Sequence, residues 1–385
     1  MNTLNTVGIA DLYLQMKIAD ATRTTLCVMS DPGMGKTQIR RQTALEYLRS
    51  VGAPECNYIY FNAGTKTAEF FGMSVPLVKN GTCDFITAEW VRKLAKAGPC
   101  VVCFDEFDKT PSYRDQMPYL QWLTEGGVDN IRLDNCLTTV MGNFRTNGGG
   151  SAGISPIVMN RVRQVHYRPE DSAVLQYGVA SGWHEWVTGY LMQNPSATND
   201  YRADRPRNCS SRQWEGVSND IKALFKVMPN ATAREVVQTV ATRVPDERAQ
   251  EFGMFLQYSK DIVPFDVIVA DPEGAPMPAS EDRGVHWMQV NTAVSRAAGM
   301  RLKDKFNGMN RSQCITAAYR YVKRFAPEFL LATHRLMLTP AIDSKDYAPG
   351  ATIFPSGTQL DASGNRVGDG MLDELVRAQR ILTEE

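Results

Sequence analysis

Residues 26–37 read LCVMSDPGMGKT, a short apolar run that breaks into a Gly-rich turn ending in Gly35-Lys36-Thr37. Small residues let a backbone curl tightly and aim several N–H groups at one point. Joined to the N-terminus of a following helix, those groups make an anion cradle. Strand, glycine loop and helix in that order form the context that a phosphate-binding loop requires. The candidate nucleotide contacts are therefore Ser30, Asp31, Pro32, Gly33, Met34, Gly35, Lys36, Thr37 and Gln38. In such a loop Lys36 reaches the β- and γ-phosphates of ATP, and the Thr37 hydroxyl ligates Mg²⁺. Ser30 departs from the usual pattern, standing where the first glycine is expected. The competing reading of this stretch is a plain Gly-rich turn.

A second piece of chemistry follows the apolar run Cys100–Phe104, which ends in Asp105-Glu106. Carboxylates at the end of a buried strand suit metal and water handling, because open α/β sheets bind ligands at that edge. Asp105 would hold Mg²⁺ through its water shell, and Glu106 would orient and deprotonate the attacking water. The alternative is a pair of solvated acids. A third run, Leu137–Met141, leads into Gly142-Asn143. An amide there, beside a bound γ-phosphate, could hold the lytic water.

These groups need elements to position them. The pattern predicts a lead-in helix within residues 1–23, a strand at Thr25–Met29 and a helix to Ser50. Asn57–Asn62 is β-rich, residues 65–81 form a connection, and Thr87–Ala97 is a helix closed by Gly98-Pro99. A helix interrupted by Pro118 runs up to Gly126, as a kink or a late start. Ser155-Pro156 opens a short helix, and Val162–Tyr167 is a fifth strand candidate just after Arg161.

Bulk numbers restrict the class. The 385 residues are 43% hydrophobic and 22% charged, the make-up of an ordinary globular protein with two or three domains. Lys and Arg together number 42, as do Asp and Glu, so no whole-molecule field draws the chain to nucleic acid or acidic lipid. No apolar stretch approaches the ~18 residues needed to cross a bilayer. The start, MNTLNTVGIADLY, lacks a signal-peptide layout, and a cytoplasmic protein is expected. Cys100 and Cys103 fall on opposite faces of a strand and the four histidines show no ligand spacing. Free thiols and no metal beyond nucleotide-bound Mg²⁺ follow.

The segments SDPGMGKT, TAEFFG, VVCFDEFDK, VMGNF and SPIVMNRV, in this order, resemble the AAA+ ATPase superfamily. Within it they are similar to the MoxR-type branch, including the stand-alone versions of phage genomes, over residues 8–215 or so. The resemblance implies an α/β AAA+ P-loop domain with a five-stranded parallel sheet in the order 5-1-4-3-2, followed by an α-helical lid. It also implies a homo-oligomeric ring, usually a hexamer. Asn143 then matches the sensor-1 position and Arg161 the arginine finger that reaches a neighbouring subunit's γ-phosphate, with Arg163 and Arg145 as competitors. Phe70 and Phe71, in TAEFFG, are candidates for partner contact or for core packing. Similar ATPases often act on a protein client with a von Willebrand-A-type partner.

The later chain reads as helical. Residues 1–169 form the nucleotide-binding domain, 170–247 the lid, 248–340 a helical C-terminal region, and 341–385 a flexible tail with a terminal helix. Ser210–Val227 is an amphipathic helix whose Arg212 corresponds, by the resemblance, to the sensor-2 arginine. Thr232 and Glu235 form a capping-box signature. Residues 263–279 read as irregular, whereas 283–306 and 311–338 read as helical. YRYVKRF, residues 319–325, mixes basic and aromatic side chains as a nucleic-acid surface would, or is a solvated face with aromatic packing. The expected activity is ATP hydrolysis that remodels a partner protein. A DNA-binding motor or replication helper, and a nucleotide-gated scaffold with little turnover, are the alternatives.

Overall fold

The computed structural model describes residues 6–77, 82–110, 112–129, 131–144, 153–257, 261–278, 283–339, 341 and 343. The chain divides into one unit of Met1–Pro169 with Tyr201–Pro206 and another of Glu170–Asp200 with Arg207–Glu385. In the first unit the elements are β1 (Thr6–Val7), α1 (Ile9–Thr22), β2 (Leu26–Ser30), α2 (Lys36–Ser50) and β3 (Tyr58–Asn62). They continue with β4 (Gly72–Leu77), β5 (Thr82–Thr87), α3 (Glu89–Lys96), β6 (Cys100–Asp105) and α4 (Tyr113–Glu125). The unit ends with β7 (Gly127–Val128), β8 (Ile131–Arg132), β9 (Cys136–Asn143), α5 (Pro156–Met159) and β10 (Arg163–Tyr167).

Six strands form one parallel sheet, ordered β1-β10-β2-β9-β6-β3. This corrects the expected five-stranded sheet: β1 adds an edge strand beside β10, through Thr6↔His166 and Val7↔Tyr167. Two residues carry no readable periodicity, so nothing local announced it. β2 and β6 are buried along their whole lengths, which is why both read as unbroken apolar runs. Beside the sheet lies an aromatic core: Phe71 meets Tyr119 at 4.9 Å and Trp122 at 5.6 Å between ring centroids. Phe70 stacks on Trp90 at 4.7 Å. Of the two readings for these phenylalanines, the structure gives packing. On the α2 side, fully buried Arg40 donates to both carboxylate oxygens of Asp20, at 2.7 and 2.9 Å, fastening α2 to α1.

Two further expectations are corrected in this unit. The connection at 65–81 contains β4, which pairs antiparallel with β5. Pro76 was no obstacle, because both strands of a two-stranded ribbon are edges. α4 begins at Tyr113 and includes Pro118, so of the two expected outcomes, a kink or a late start, the late start does not occur.

The second unit comprises α6 (Asp171–Ala180), α7 (Glu185–Gln193), α8 (Ser211–Val227), α9 (Ala233–Ala241), α10 (Asp246–Leu256) and α11 (Phe265–Ala270). It continues with α12 (Arg283–Ala298), β11 (Lys305–Phe306), β12 (Met309–Asn310), α13 (Arg311–Val322) and α14 (Pro327–Met337). The Ser210 side chain caps α8, and Thr232 with Glu235 forms a reciprocal capping box on α9. One apolar core is built around Trp183, Tyr190, Trp214, Val240 and Phe252, and another around Phe265, Val290, Val294 and Tyr321.

Residues 263–279 are not wholly irregular, because Phe265, Ile268 and Val269 bury one side of the short helix α11. Helix α12 ends before 306, and Asn307-Gly308, with φ 50° and 81°, turns β11 into β12. The helical run 311–338 splits at Ala326-Pro327 into α13 and α14. The expected terminal helix at 371–385 lies outside the described residues.

Candidate functional site

Ser30, Asn62, Asp105 and Asn143 end four parallel strands, with Ser30 in register with Asn143 and Asn62 in register with Asp105. Beyond β2 the chain turns through Gly33 and Gly35, at φ 80° and 85°, into α2. An L-residue in that left-handed region costs ~1–2 kcal/mol. At Gly35 the cost is wholly one of backbone shape, since a Cβ there would meet nothing within 4 Å. Buried Met34 anchors the loop from within. α2 has no side-chain cap, and Ile39 N–H to Gly35 O, 3.1 Å, is its first internal hydrogen bond. The amides of a helix's first turn have no acceptor inside the helix and suit an anion. Asp31, Pro32, Gly33 and Thr37 are half-buried, and Gln38 is exposed.

The side chains converge. Lys36, 7% exposed, donates from Nζ to Asn143 Oδ1 at 2.8 Å and to Ser30 Oγ at 3.2 Å. The Thr37 hydroxyl donates to Asp105 Oδ2 at 2.5 Å, and the Tyr60 hydroxyl approaches the same oxygen at 3.4 Å. Burial and the Asp105 charge push the Tyr60 hydroxyl up to about 12. Glu106 has φ 53° and ψ 34°, a left-handed backbone held by its N–H to Asp105 Oδ1 at 2.8 Å. Its carboxylate accepts from Asn62 Nδ2 at 2.7 Å. Asp108 Oδ1 accepts the Asn143 N–H at 2.9 Å. Burial raises the Asp108 carboxyl above the usual range, against the Asn143 N–H and the charges of Lys109 and Lys36.

This arrangement fits its expected ligands chemically. Thr37 and Asp105 offer hard oxygens side by side, the donor type Mg²⁺ takes while keeping several waters. When bound with a triphosphate, Mg²⁺ neutralises charge on the phosphate oxygens. Among the described residues no group of three or more His, Cys, Asp or Glu could hold another metal ion.

No family model matches the chain, and no curated protein does. Solved structures resemble it remotely. NtrX from Brucella abortus in complex with ATP has 17% identity, covering 84% of this chain and 69% of that one, with a TM-score of 0.37. A RuvB mutant from Thermotoga maritima has 12% identity over 68% of this chain and 74% of that one, TM-score 0.34. A DNA replication initiation factor has 13% identity over 84% and 86%, TM-score 0.36. Likenesses of this size carry no argument about activity, which rests on the side chains above.

Arg161 is exposed at the end of α5, its Nη1 donating to the Ile157 carbonyl at 2.8 Å. Arg163 donates to Gln15 at 2.8 Å, and Arg145 lies outside the described residues. Buried Gln116 holds the segment before α5 through Gly153 O at 2.7 Å and Ser155 N–H at 2.8 Å. Arg212 is exposed in the first turn of α8, in the second unit. Within YRYVKRF, Tyr319 and Tyr321 are buried, and Arg324 donates to the Pro272 and Ala275 carbonyls. Those rings are unavailable for stacking on bases, so the packing reading stands there.

Sequence reasoning missed Asn62 and Asp108. Asn62 carried a weak signal, a polar residue ending a β-rich run next to the acid-bearing strand. Asp108 carried no signal of its own, standing two residues past the Asp105-Glu106 pair. Among the described residues no helix is long and apolar enough to cross a membrane.

Proposed function

We propose that this chain is a MoxR-type AAA+ ATPase that hydrolyses ATP between the subunits of a homo-oligomeric, hexameric ring and remodels a protein client. One observation carries the reading: Lys36 with Asn143, Thr37 with Asp105, and Asn62 with Glu106 meet at one sheet edge beyond a glycine loop. Lys36 neutralises the β- and γ-phosphates, while Thr37 and Asp105 would hold Mg²⁺. Glu106 takes the proton of the attacking water, and Asn143 orients that water. Catalysis of this kind is mostly positioning and charge stabilisation.

Arg161 serves the site of the neighbouring copy, and its exposed place at a helix end supports that role. A cation supplied in trans makes hydrolysis conditional on assembly. Arg212 acts as the lid's sensor, coupling cleavage to lid rotation. The ring works in the cytoplasm with a partner of the von Willebrand-A type.

Two variants test the site. Lys36→Ala should lose nucleotide binding. Glu106→Gln should bind ATP normally and hydrolyse it at least about a hundredfold more slowly, the contribution of a general base. Normal turnover by purified Glu106→Gln would remove the base assignment, and retained affinity in Lys36→Ala would remove the loop assignment.

A further inference from the structure

Asp108 lies in a three-residue 3-10 turn, Phe107–Lys109, that follows Glu106 directly. The core sets the shape of that turn. Phe107 is buried against Tyr119 at 4.9 Å, and the Lys109 N–H returns to the Glu106 carbonyl at 2.9 Å. From this base the Asp108 carboxylate, 1% exposed, reaches the end of β9 and accepts the Asn143 N–H at 2.9 Å. The β6–β9 register runs only to Phe104↔Val140. Three residues farther on, a backbone donor that needs a partner finds a side chain instead. Gly142 leaves room for it, since a Cβ there would stand 3.1 Å from Asp108 Oδ1. Asn143 Oδ1 in turn accepts from Lys36 at 2.8 Å.

We propose that Asp108 is a positioning residue for the nucleotide reaction, fixing the Asn143 backbone and, through its side chain, the Lys36 ammonium. The inference rests on the reading of the site as an ATPase. Its physical content is that one rigid turn carries Glu106 and also tethers the strand end bearing Asn143. The two groups assigned to the water therefore keep a constant separation. A hydrogen bond to a carboxylate is roughly twice as strong as a neutral one, which suits a tether. Small misplacements of reacting groups are costly in rate.

Asp108→Asn keeps Oδ1 as an acceptor, whereas Asp108→Ala removes it. In the alanine variant, hydrogen exchange of the Asn143 amide should accelerate at least about tenfold. Its kcat should fall about tenfold or more, with the KM for ATP within about threefold of wild type. The asparagine variant should restore both readings to within about threefold. Unchanged exchange in Asp108→Ala, faster exchange with wild-type kcat, or equal loss in both variants overturns the proposal. Should the ATPase reading itself fail, the wild-type protein will not turn over ATP, and the exchange measurement still decides. Protection lost in alanine and kept in asparagine supports the tether, and equal protection in both refutes it.

Discussion

Glu106 keeps a left-handed backbone at φ 53°, a conformation that costs a non-glycine residue on the order of 1–3 kcal/mol. Two hydrogen bonds offset that cost, one from its own N–H to Asp105 and one from Asn62 to its carboxylate. Asn62→Ala removes the second and lets the carboxylate swing. We expect kcat to fall about tenfold with ATP affinity retained, measured by steady-state hydrolysis beside a binding titration. Thiol chemistry gives an independent residue-scale check. Burial pushes the Cys27 and Cys103 thiols up to about 12, with the Asp108 and Asp105 charges adding to it, whereas Cys56 and Cys83 are exposed. At pH 8 a thiol-alkylating reagent should label Cys56 and Cys83 on the folded protein and reach Cys27 and Cys103 only after unfolding. The loop glycines, Lys36 and the two carboxylates were legible because each motif is local. Asn62 and Asp108 were not, since their partners lie 44 and 35 residues away along the chain.

At the scale of elements, the turn after β3 nests against the turn after β6. A Cβ on Gly64 would fall 2.6 Å from Lys109 Cβ and 3.3 Å from both Asn62 Oδ1 and the Glu106 carbonyl. Gly64→Ala should therefore separate the two turns, lowering stability by ~1–3 kcal/mol in a denaturant titration and slowing hydrolysis with it. Thr232→Ala, which deletes the capping box on α9, should cost about 1 kcal/mol and leave nucleotide affinity unchanged. Strands buried on both faces announce themselves as unbroken apolar runs, and amphipathic helices by their period and caps; β2, β6, α8 and α9 were readable on those grounds. Short antiparallel pairs do not. The β11–β12 pair carried an Asn-Gly turn, a strong hairpin signal, but it fell in the short gap between 283–306 and 311–338, the two stretches that read as helical. Helix α11 was hidden because its six residues, set between Pro264 and Pro272, make fewer than two helical turns.

For the whole molecule, equal numbers of positive and negative side chains leave assembly to specific contacts rather than to a net field. If Arg161 serves a neighbouring copy, Arg161→Ala should lower hydrolysis while ATP affinity holds. Mixing the variant into wild-type protein should then depress activity more than in proportion to its fraction. Strictly proportional loss, followed by phosphate release across a mixing series, would argue against service in trans. The small strand β1 bears on a different risk. It occupies the outer side of β10, and the Arg168 N–H continues that pairing to the Val7 carbonyl at 3.0 Å. A version of the chain trimmed to begin at Ile9 would offer β10 as an open template for foreign strands. We expect such a version to precipitate with fibril-type dye binding on storage, because Thr6 and Val7 no longer cover the free side of β10 and guard it against self-templating.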